Sequence, residues 1–288
     1  MKVPSNLVRD IRNYYCEQLC SIYDKNESNT LILILFEYYF NINRIKMSLE
    51  PELRLSESEM LKLHFAVKDL LKNKPIQYII GETEFCDLKF KVNENVLIPR
   101  PETSELVRLI ANSHQPSTIS NILDIGTGSG CIAISLAKMI PQSNVYALDI
   151  SEKALDVAKE NAINNNVNIT FIQDDILTKT QTLTQTKFDI IVSNPPYVRE
   201  LEKVDMHNNI LQWEPHNALF VSDEDPLIFY RSILEFSKKH LKENGEIWFE
   251  INEYLCKEMK ALCEEVGLSN IEIYKDFRDK ERFLRTHL

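Results

Sequence analysis

Asn194, Pro195, Pro196 and Tyr197 follow directly on an apolar run, Asp189-Ile190-Ile191-Val192-Ser193. The prolines contribute carbonyl oxygens and no N–H donors. The side-chain oxygen of Asn194 and the carbonyl of Pro195 can each accept one proton of an –NH2 group. A pocket rich in acceptors and poor in donors pulls electron density onto the nitrogen it grips. That suits methylation of an uncharged, planar nitrogen whose lone pair is delocalised. Proline restricts the residue before it, so the loop is rigid before substrate arrives. Tyr197 offers an aromatic face to a flat group. Each such hydrogen bond contributes about 1 kcal/mol net, and more when aimed at charge developing on nitrogen. A strong general base is not required if the proton leaves after the transfer. The plainer reading is a proline stop at a strand end.

A second pattern weighs against that plainer reading. The chain has only 6 glycines, and three stand in Gly126-Thr127-Gly128-Ser129-Gly130. Glycine there permits positive φ and close approach of backbone to a ligand. The spacing is G-x-G-x-G with Cys131 next, not the dinucleotide G-x-G-x-x-G, and the Gly-Lys-Ser/Thr of a phosphate-binding loop is absent. Asp124 precedes the loop and Asp149 ends the next apolar run. A carboxylate at that point can accept both hydroxyls of a ribose. Acidity around the loop disfavours pyrophosphate and tolerates a cation. S-adenosylmethionine fits: an adenosine, a sulfonium, an ammonium and no phosphate. Asp175 is placed to help with the adenosine half, with Asp174 competing for that role. Asp149 could instead cap the helix that Ser151 begins.

The elements that must position these residues are legible as a change of texture. Up to about residue 75 the pattern is helical. Val8, Ile11, Tyr15, Leu19 and Ile22 recur at three-to-four spacing, Thr30 can cap a helix through Phe40, and Ser56 with Glu59 forms a capping box opening a helix over Glu57 to Lys72. From Tyr78 to Ile98 the alternation Phe85, Leu88, Phe90, Val92, Val96, Ile98 predicts a hairpin turning at Asn93-Glu94-Asn95, broken by Pro99-Arg100-Pro101-Glu102. Beyond residue 119, strands near 122–125, 145–148, 169–173, 188–193, 246–251 and 271–274 alternate with helices. This is the order of an α/β fold with a parallel sheet covered on both faces. The Thr- and Gln-rich segment 178–187 reads as an exposed loop.

Composition sets the outer limits. At 288 residues, 44% hydrophobic and 26% charged, the chain is not collagen-like, low-complexity or wholly disordered. Its net charge of -10 makes a phosphate-gripping nucleic-acid binder a poor expectation, and residues 1–75 are near neutral, with 11 Lys+Arg against 10 Asp+Glu. The start lacks an apolar signal region, and Leu31 to Phe40 is far short of a membrane span, so a cytoplasmic protein without membrane contact is expected. Cys16, Cys20, Cys86, Cys131, Cys256 and Cys263 form no Cys-x-x-Cys pair, so reduced thiols and no metal site are expected. His216 reads as a loop residue, and Trp213 and Trp248 as packing residues.

The chain resembles the release-factor glutamine methyltransferases, the HemK/PrmC family. The resemblance rests on Pro75-Ile76-Gln77-Tyr78-Ile79-Ile80-Gly81 with Glu84-Phe85, on Val96-Leu97-Ile98-Pro99-Arg100-Pro101-Glu102-Thr103, on Leu123 to Gly130, on Asn194 to Tyr197, and on Glu214-Pro215 with Ala218-Leu219. It implies a class I S-adenosylmethionine-dependent methyltransferase with a Rossmann-like seven-stranded sheet. It also implies a small N-terminal helical bundle at 1–75 for release-factor recognition, a β-hairpin linker at 76–100 and a methyltransferase domain at 101–288. The implied reaction is methyl transfer to the glutamine amide nitrogen of the Gly-Gly-Gln motif in class 1 peptide chain release factors; a monomer without direct nucleic-acid binding is expected. By the same resemblance Gly126, Thr127, Gly128, Ser129, Gly130, Asp149, Asp175, Ile176 and Asn194 hold the cofactor. Asn194, Pro195, Pro196 and Tyr197 hold the glutamine, with Asn194, Pro195 and Tyr197 catalytic and Phe85 and Arg100 as pocket neighbours. Ile176 takes a position where the family often has an aromatic residue near adenine, and Ser104, Val221-Ser222, Asn252 and Leu255 also depart from the family pattern. Two other classes remain open: an amino-methyltransferase of DNA or RNA bases, which would need base flipping and a basic cleft, and a non-enzymatic adaptor keeping the fold.

Overall fold

The structure, a computed structural model, describes residues 5–114, 120–178, 183 and 185–287. It divides into two compact units. One comprises the chain up to Gly81 with His207–Trp213, the other Glu82–Met206 with Glu214–Leu288.

The first unit is helical. Helix α1 (Val8–Leu19) buries Val8, Ile11, Tyr15 and Leu19 on one face. Ile22 lies past its end and is 41% exposed, so the apolar spacing outruns the helix. Helix α2 (Lys25–Phe40) begins earlier than Thr30, because the Asp24 carboxylate accepts the Asn26 and Glu27 N–H groups at 2.7 and 2.9 Å. Thr30 sits inside the helix and returns its hydroxyl to the Asn26 carbonyl at 2.9 Å. Helix α3 (Arg44–Leu49) buries no side chain, which is why no apolar period announces it. Helix α4 (Glu57–Leu70) opens with the expected capping box. Helix α5 (Ile76–Ile80) replaces the extended chain expected from Tyr78, and Gly81 at φ 81° ends it. Ile11, Leu19, Ile32, Leu35, Phe36 and Leu63 form the centre of this unit's core. The Trp213 indole donates to the Lys72 carbonyl at 3.1 Å, with the Lys74 ammonium 4.9 Å from the ring centroid.

The second unit opens with the hairpin of β1 (Glu82–Phe85) and β2 (Leu88–Lys91). Its turn is Cys86-Asp87, at φ 48° and 62°, not Asn93-Glu94-Asn95. Two residues at positive φ match the twist of paired strands. Asn93 makes a local reversal instead, its side chain accepting from the Asn95 N–H at 2.9 Å. Helix α6 (Pro101–Ser113) starts at the proline that reads as a breaker, because the first helical position needs no N–H.

Strands and helices then alternate: β3 (Asn121–Ile125), α7 (Cys131–Met139), β4 (Asn144–Asp149), α8 (Glu152–Asn164), β5 (Ile169–Gln173) and β6 (Phe188–Ser193). Two short strands, β7 (Val198–Arg199) and β8 (Phe220–Val221), pair in parallel; helix α9 (Asn208–Trp213), between them in sequence, belongs to the helical unit. The chain closes with α10 (Ile228–His240), β9 (Leu241–Glu250), α11 (Cys256–Val266), β10 (Ser269–Lys275) and β11 (Glu281–His287). Asn161 of α8 clamps β2 by accepting from the Lys91 N–H at 2.6 Å and donating to the Lys91 carbonyl at 3.0 Å.

The main sheet has seven strands in the order β10-β11-β9-β6-β3-β4-β5. It is parallel from β9 to β5, and β11 runs antiparallel between β9 and β10. Strand β11 lies beyond the last strand expected from the sequence, at 271–274, because it buries only Phe283, Leu284 and Thr286 among charged neighbours. Leu123, Ile125, Ile191 and Phe249 pack on one face; Ile122, Ile190, Val192 and Trp248 on the other. Half of the segment 178–187 lies outside the described residues, and Leu183 within it is buried, not exposed. Strand order reverses between β3 and β6, and a ligand crevice forms at the carboxyl ends of strands flanking such a reversal. Among the described residues no helix is long and apolar enough to cross a membrane.

Candidate active site

Ile125 and Ser193 are register partners at the ends of β3 and β6, and the Ser193 hydroxyl donates to the Ile125 carbonyl at 2.6 Å. The glycine loop and the Asn-Pro-Pro-Tyr segment therefore leave the sheet side by side. The loop is pinned from beneath. The Gly126 and Thr127 N–H groups donate to the Leu148 carbonyl at 2.8 and 3.0 Å. Asp124, fully buried, accepts from the Thr127 hydroxyl at 2.6 Å and the Ala133 N–H at 3.2 Å through one oxygen. Its other oxygen has no partner among the described residues, and burial pushes its pKa up to about 7. Gly126, Gly128 and Gly130 all sit at positive φ. At Gly130 the space is closed as well: a Cβ would stand 2.9 Å from Ile134 Cδ1 and 3.1 Å from Ala158 Cβ.

Asp149 accepts from the Gly128 N–H at 2.8 Å and the Ser151 N–H at 2.9 Å, one on each oxygen. Burial raises its pKa and these backbone bonds oppose the rise. Helix α8 has its own cap in the Ser151 side chain, which accepts from Ala154. Each Asp149 oxygen keeps a lone pair for a ligand hydroxyl.

The Asn194 Nδ2 donates to the Thr103 hydroxyl at 3.2 Å, and that hydroxyl donates to Glu250 Oε2 at 2.7 Å. The Tyr197 hydroxyl donates to Glu250 Oε1 at 2.8 Å. The Asn252 Nδ2 holds the Tyr197 carbonyl at 3.1 Å. The loop is thus tied to β9 and α6 by a buried polar network.

A cavity of about 240 Å³ opens between the two loops. Gly126, Gly128, Asp149, Asp174, Asp175, Ile176, Asn194, Pro195 and Pro196 line it, joined by Asn95, Val96, Leu97, Pro215, Asn217, Ala218, Phe229 and Ile233. Among the described residues, three carboxylates and no lysine, arginine or histidine stand in this wall. Such a wall of acceptors suits a cationic ligand with sugar hydroxyls, such as S-adenosylmethionine, and opposes a pyrophosphate.

Known proteins resemble this chain over most of its length. The methyltransferase small domain family matches residues 103–219, and the PrmC N-terminal domain family matches residues 10–81. A release factor glutamine methyltransferase of Flavobacterium psychrophilum is 47% identical over 284 residues, covering 98% of this chain and 99% of its own. One of Bacteroides thetaiotaomicron is 41% identical over 274 residues, covering 95% and 98%. The chain belongs to the release factor glutamine methyltransferase family. Among solved structures, the Thermus thermophilus 16S rRNA N2 G1207 methyltransferase, in complex with AdoMet and guanosine, aligns with a TM-score of 0.51 at 17% identity over 72% of this chain and 49% of its own. The human methyltransferase 10 domain containing protein aligns at 0.50, with 19% identity over 69% and 89%. At those identities the likeness is one of fold, and the seven-stranded unit has the class I methyltransferase fold.

Several residues that the sequence pointed to lie elsewhere. Thr127, Ser129 and Gly130 do not line the cavity; Thr127 and Ser129 are buried behind the loop and Gly130 packs between α7 and α8. Tyr197 offers no face to the cavity, because its hydroxyl is committed to Glu250 and its ring packs on the core beneath. Burial and the Glu250 charge hold its pKa well above the ordinary value. Phe85 is buried in an edge-on pair with Phe90, ring centroids 6.0 Å apart. Arg100 pairs with buried Glu214 at 2.7 Å; Glu214 also accepts from the Ile98 N–H at 3.2 Å, so Arg100 fixes the segment that brings Pro215 to the cavity. Thr103 and Glu250 were missed as site residues. The available signal was a carboxylate ending the apolar run Ile247-Trp248-Phe249, where a buried charge must have partners. All six cysteines are free thiols, and among the described residues no group of three or more His, Cys, Asp or Glu could hold a metal ion.

Proposed function

We propose that this chain transfers a methyl group from S-adenosylmethionine to the side-chain amide nitrogen of the Gly-Gly-Gln glutamine in class 1 peptide chain release factors. It does so in the cytoplasm, as a monomer and without a direct grip on nucleic acid. The observation that carries the reading is a single cavity in which the donor-poor Asn194-Pro195-Pro196 wall faces the carboxylate-lined glycine loop. Residues 1–75 would recognise the release factor, 76–100 would link, and 101–288 would do the chemistry.

S-adenosylmethionine, when bound, supplies a methyl group on a positively charged sulfur. Asp149 would hold its ribose hydroxyls, and Asp174 or Asp175 the adenosine side. Gly126 and Gly128 let backbone approach it. Ile176 gives adenine an aliphatic contact in place of an aromatic one. The glutamine amide is a weak nucleophile because its lone pair is shared with the carbonyl. The Asn194 Oδ1 and the Pro195 carbonyl accept its two N–H protons and raise electron density on nitrogen. Pro195 and Pro196 present no N–H that would compete for its lone pair. These acceptors strengthen as nitrogen becomes positive, so they act on the transition state more than on the ground state. The nitrogen then sheds one proton to water. Tyr197 serves by anchoring the loop.

The test is to incubate the chain with labelled S-adenosylmethionine and either a release factor or its tip variant with glutamine replaced by alanine. Label enters the first and not the second. Label on RNA or DNA, and none on the factor, would overturn the proposal in favour of base methylation.

A further inference from the structure

We propose that Glu250, acting through Thr103, fixes which end of the Asn194 carboxamide faces the cavity, and so makes the site select an amide over a carboxylate. This rests on the reading of Asn194 as the acceptor of substrate N–H groups. Glu250 and Thr103 are positioning residues, since neither lines the cavity.

The polarity follows from counting protons. Glu250 is buried, and its two carboxylate oxygens meet the hydroxyls of Thr103 at 2.7 Å and Tyr197 at 2.8 Å. An ionised carboxylate only accepts, so both hydroxyls must donate to it. A threonine hydroxyl has one proton. Having given it to Glu250, Thr103 can only accept from its other neighbour, 3.2 Å away on Asn194. That neighbour must then be the –NH2 end of the carboxamide. The oxygen end is turned away from Thr103, as the donor-poor pocket requires. Reversal would bring two acceptors together at Thr103 and would present –NH2 to the substrate. A glutamine –NH2 would then meet a donor, whereas a glutamate oxygen would be welcomed. Burial raises the pKa of Glu250, and the bonds from Thr103 and Tyr197 together with the Arg282 charge oppose that rise.

Glu250→Gln removes the constraint, because a carboxamide can donate to Thr103 as well as accept from it. Thr103→Val keeps the shape and removes the acceptor. Thr103→Ser keeps the hydroxyl. The comparison uses the full chain and a release factor whose tip residue is glutamine or, as a competitor, glutamate. Thr103→Val and Glu250→Gln are each expected to lower kcat about tenfold or more and to shrink the preference for glutamine over glutamate by about tenfold. S-adenosylmethionine affinity should stay within about twofold, which also reports that the variants are folded. Thr103→Ser should retain wild-type values. Hydrogen exchange of the Asn194 side-chain –NH2, followed by nuclear magnetic resonance and assigned with Asn194→Ala, needs no turnover. It should be slow in the wild type and in Thr103→Ser, and about tenfold faster in the other two. Unchanged exchange and preference in Thr103→Val would overturn the proposal, as would a Thr103→Ser variant as impaired as Thr103→Val. A wild type with a slowly exchanging Asn194 –NH2 but no label on the release factor would sink the proposed function and leave the orientation of Asn194 standing.

Discussion

Two residues at the loop show how local chemistry becomes measurable. Asp124 has a folded pKa of about 7 against an ordinary 3.8, because burial outweighs its bonds to Thr127 and Ala133. Between those values the folded chain keeps a proton that the unfolded chain has lost. Its contribution to stability is complete below the lower value and is lost as pH rises through about 7, with a slope of at most about 1.4 kcal/mol per pH unit. Asp124→Asn cannot ionise and escapes this loss. Urea unfolding from pH 4 to 7 should therefore show the wild type losing stability relative to that variant; parallel curves would refute the assignment. Gly130 is constrained twice, by φ 81° and by Ile134 and Ala158. Gly130→Ala should cost about 1–3 kcal/mol of unfolding free energy in denaturant titration, and an unchanged midpoint would show that α7 and α8 can part without penalty.

At the scale of elements, ends and turns decide as much as apolar pattern. The Ser56–Glu59 capping box is reciprocal: Glu59 accepts the Ser56 N–H at 2.7 Å, and Ser56 accepts the Glu59 N–H at 3.3 Å. Ser56→Ala should cost about 0.5–2 kcal/mol, read as a lower thermal midpoint of the helical unit. This box was legible because its two residues are three apart in sequence. Strands β3 and β6 were legible because central parallel strands, buried along most of their length, are nearly continuous apolar runs. Helix α3 and strand β11 were not, since one buries nothing and the other alternates buried residues with arginines. The start of α2 was hidden because Asp24 caps a polar first turn. In the site, Gly126, Gly128, Asp149 and Asn194 announced themselves by type. The inward roles of Tyr197 and Phe85 depend on which way each ring turns, which spacing along the chain does not encode.

At the scale of the molecule, two cores support two compact units. Phe36 is fully buried in the helical unit, and Phe249 is fully buried on one face of the sheet. Each truncated to alanine should lose about 3–5 kcal/mol. Phe36→Ala should leave S-adenosylmethionine affinity within about twofold by calorimetry while release-factor methylation falls, whereas Phe249→Ala should lose both. Loss of cofactor affinity in Phe36→Ala would show that the sheet unit cannot hold its site alone. On the proposed reading, one cavity brings a donor-poor amide grip and a carboxylate-lined cofactor loop to the same point. A crystal of the chain with S-adenosylhomocysteine and a Gly-Gly-Gln peptide tests it most directly. The glutamine –NH2 should lie within hydrogen-bond distance of Asn194 Oδ1 and the Pro195 carbonyl, with its nitrogen facing the sulfur and the ribose on Asp149. A glutamine seated elsewhere, or an Asn194 carboxamide turned from the sulfur, would contradict it.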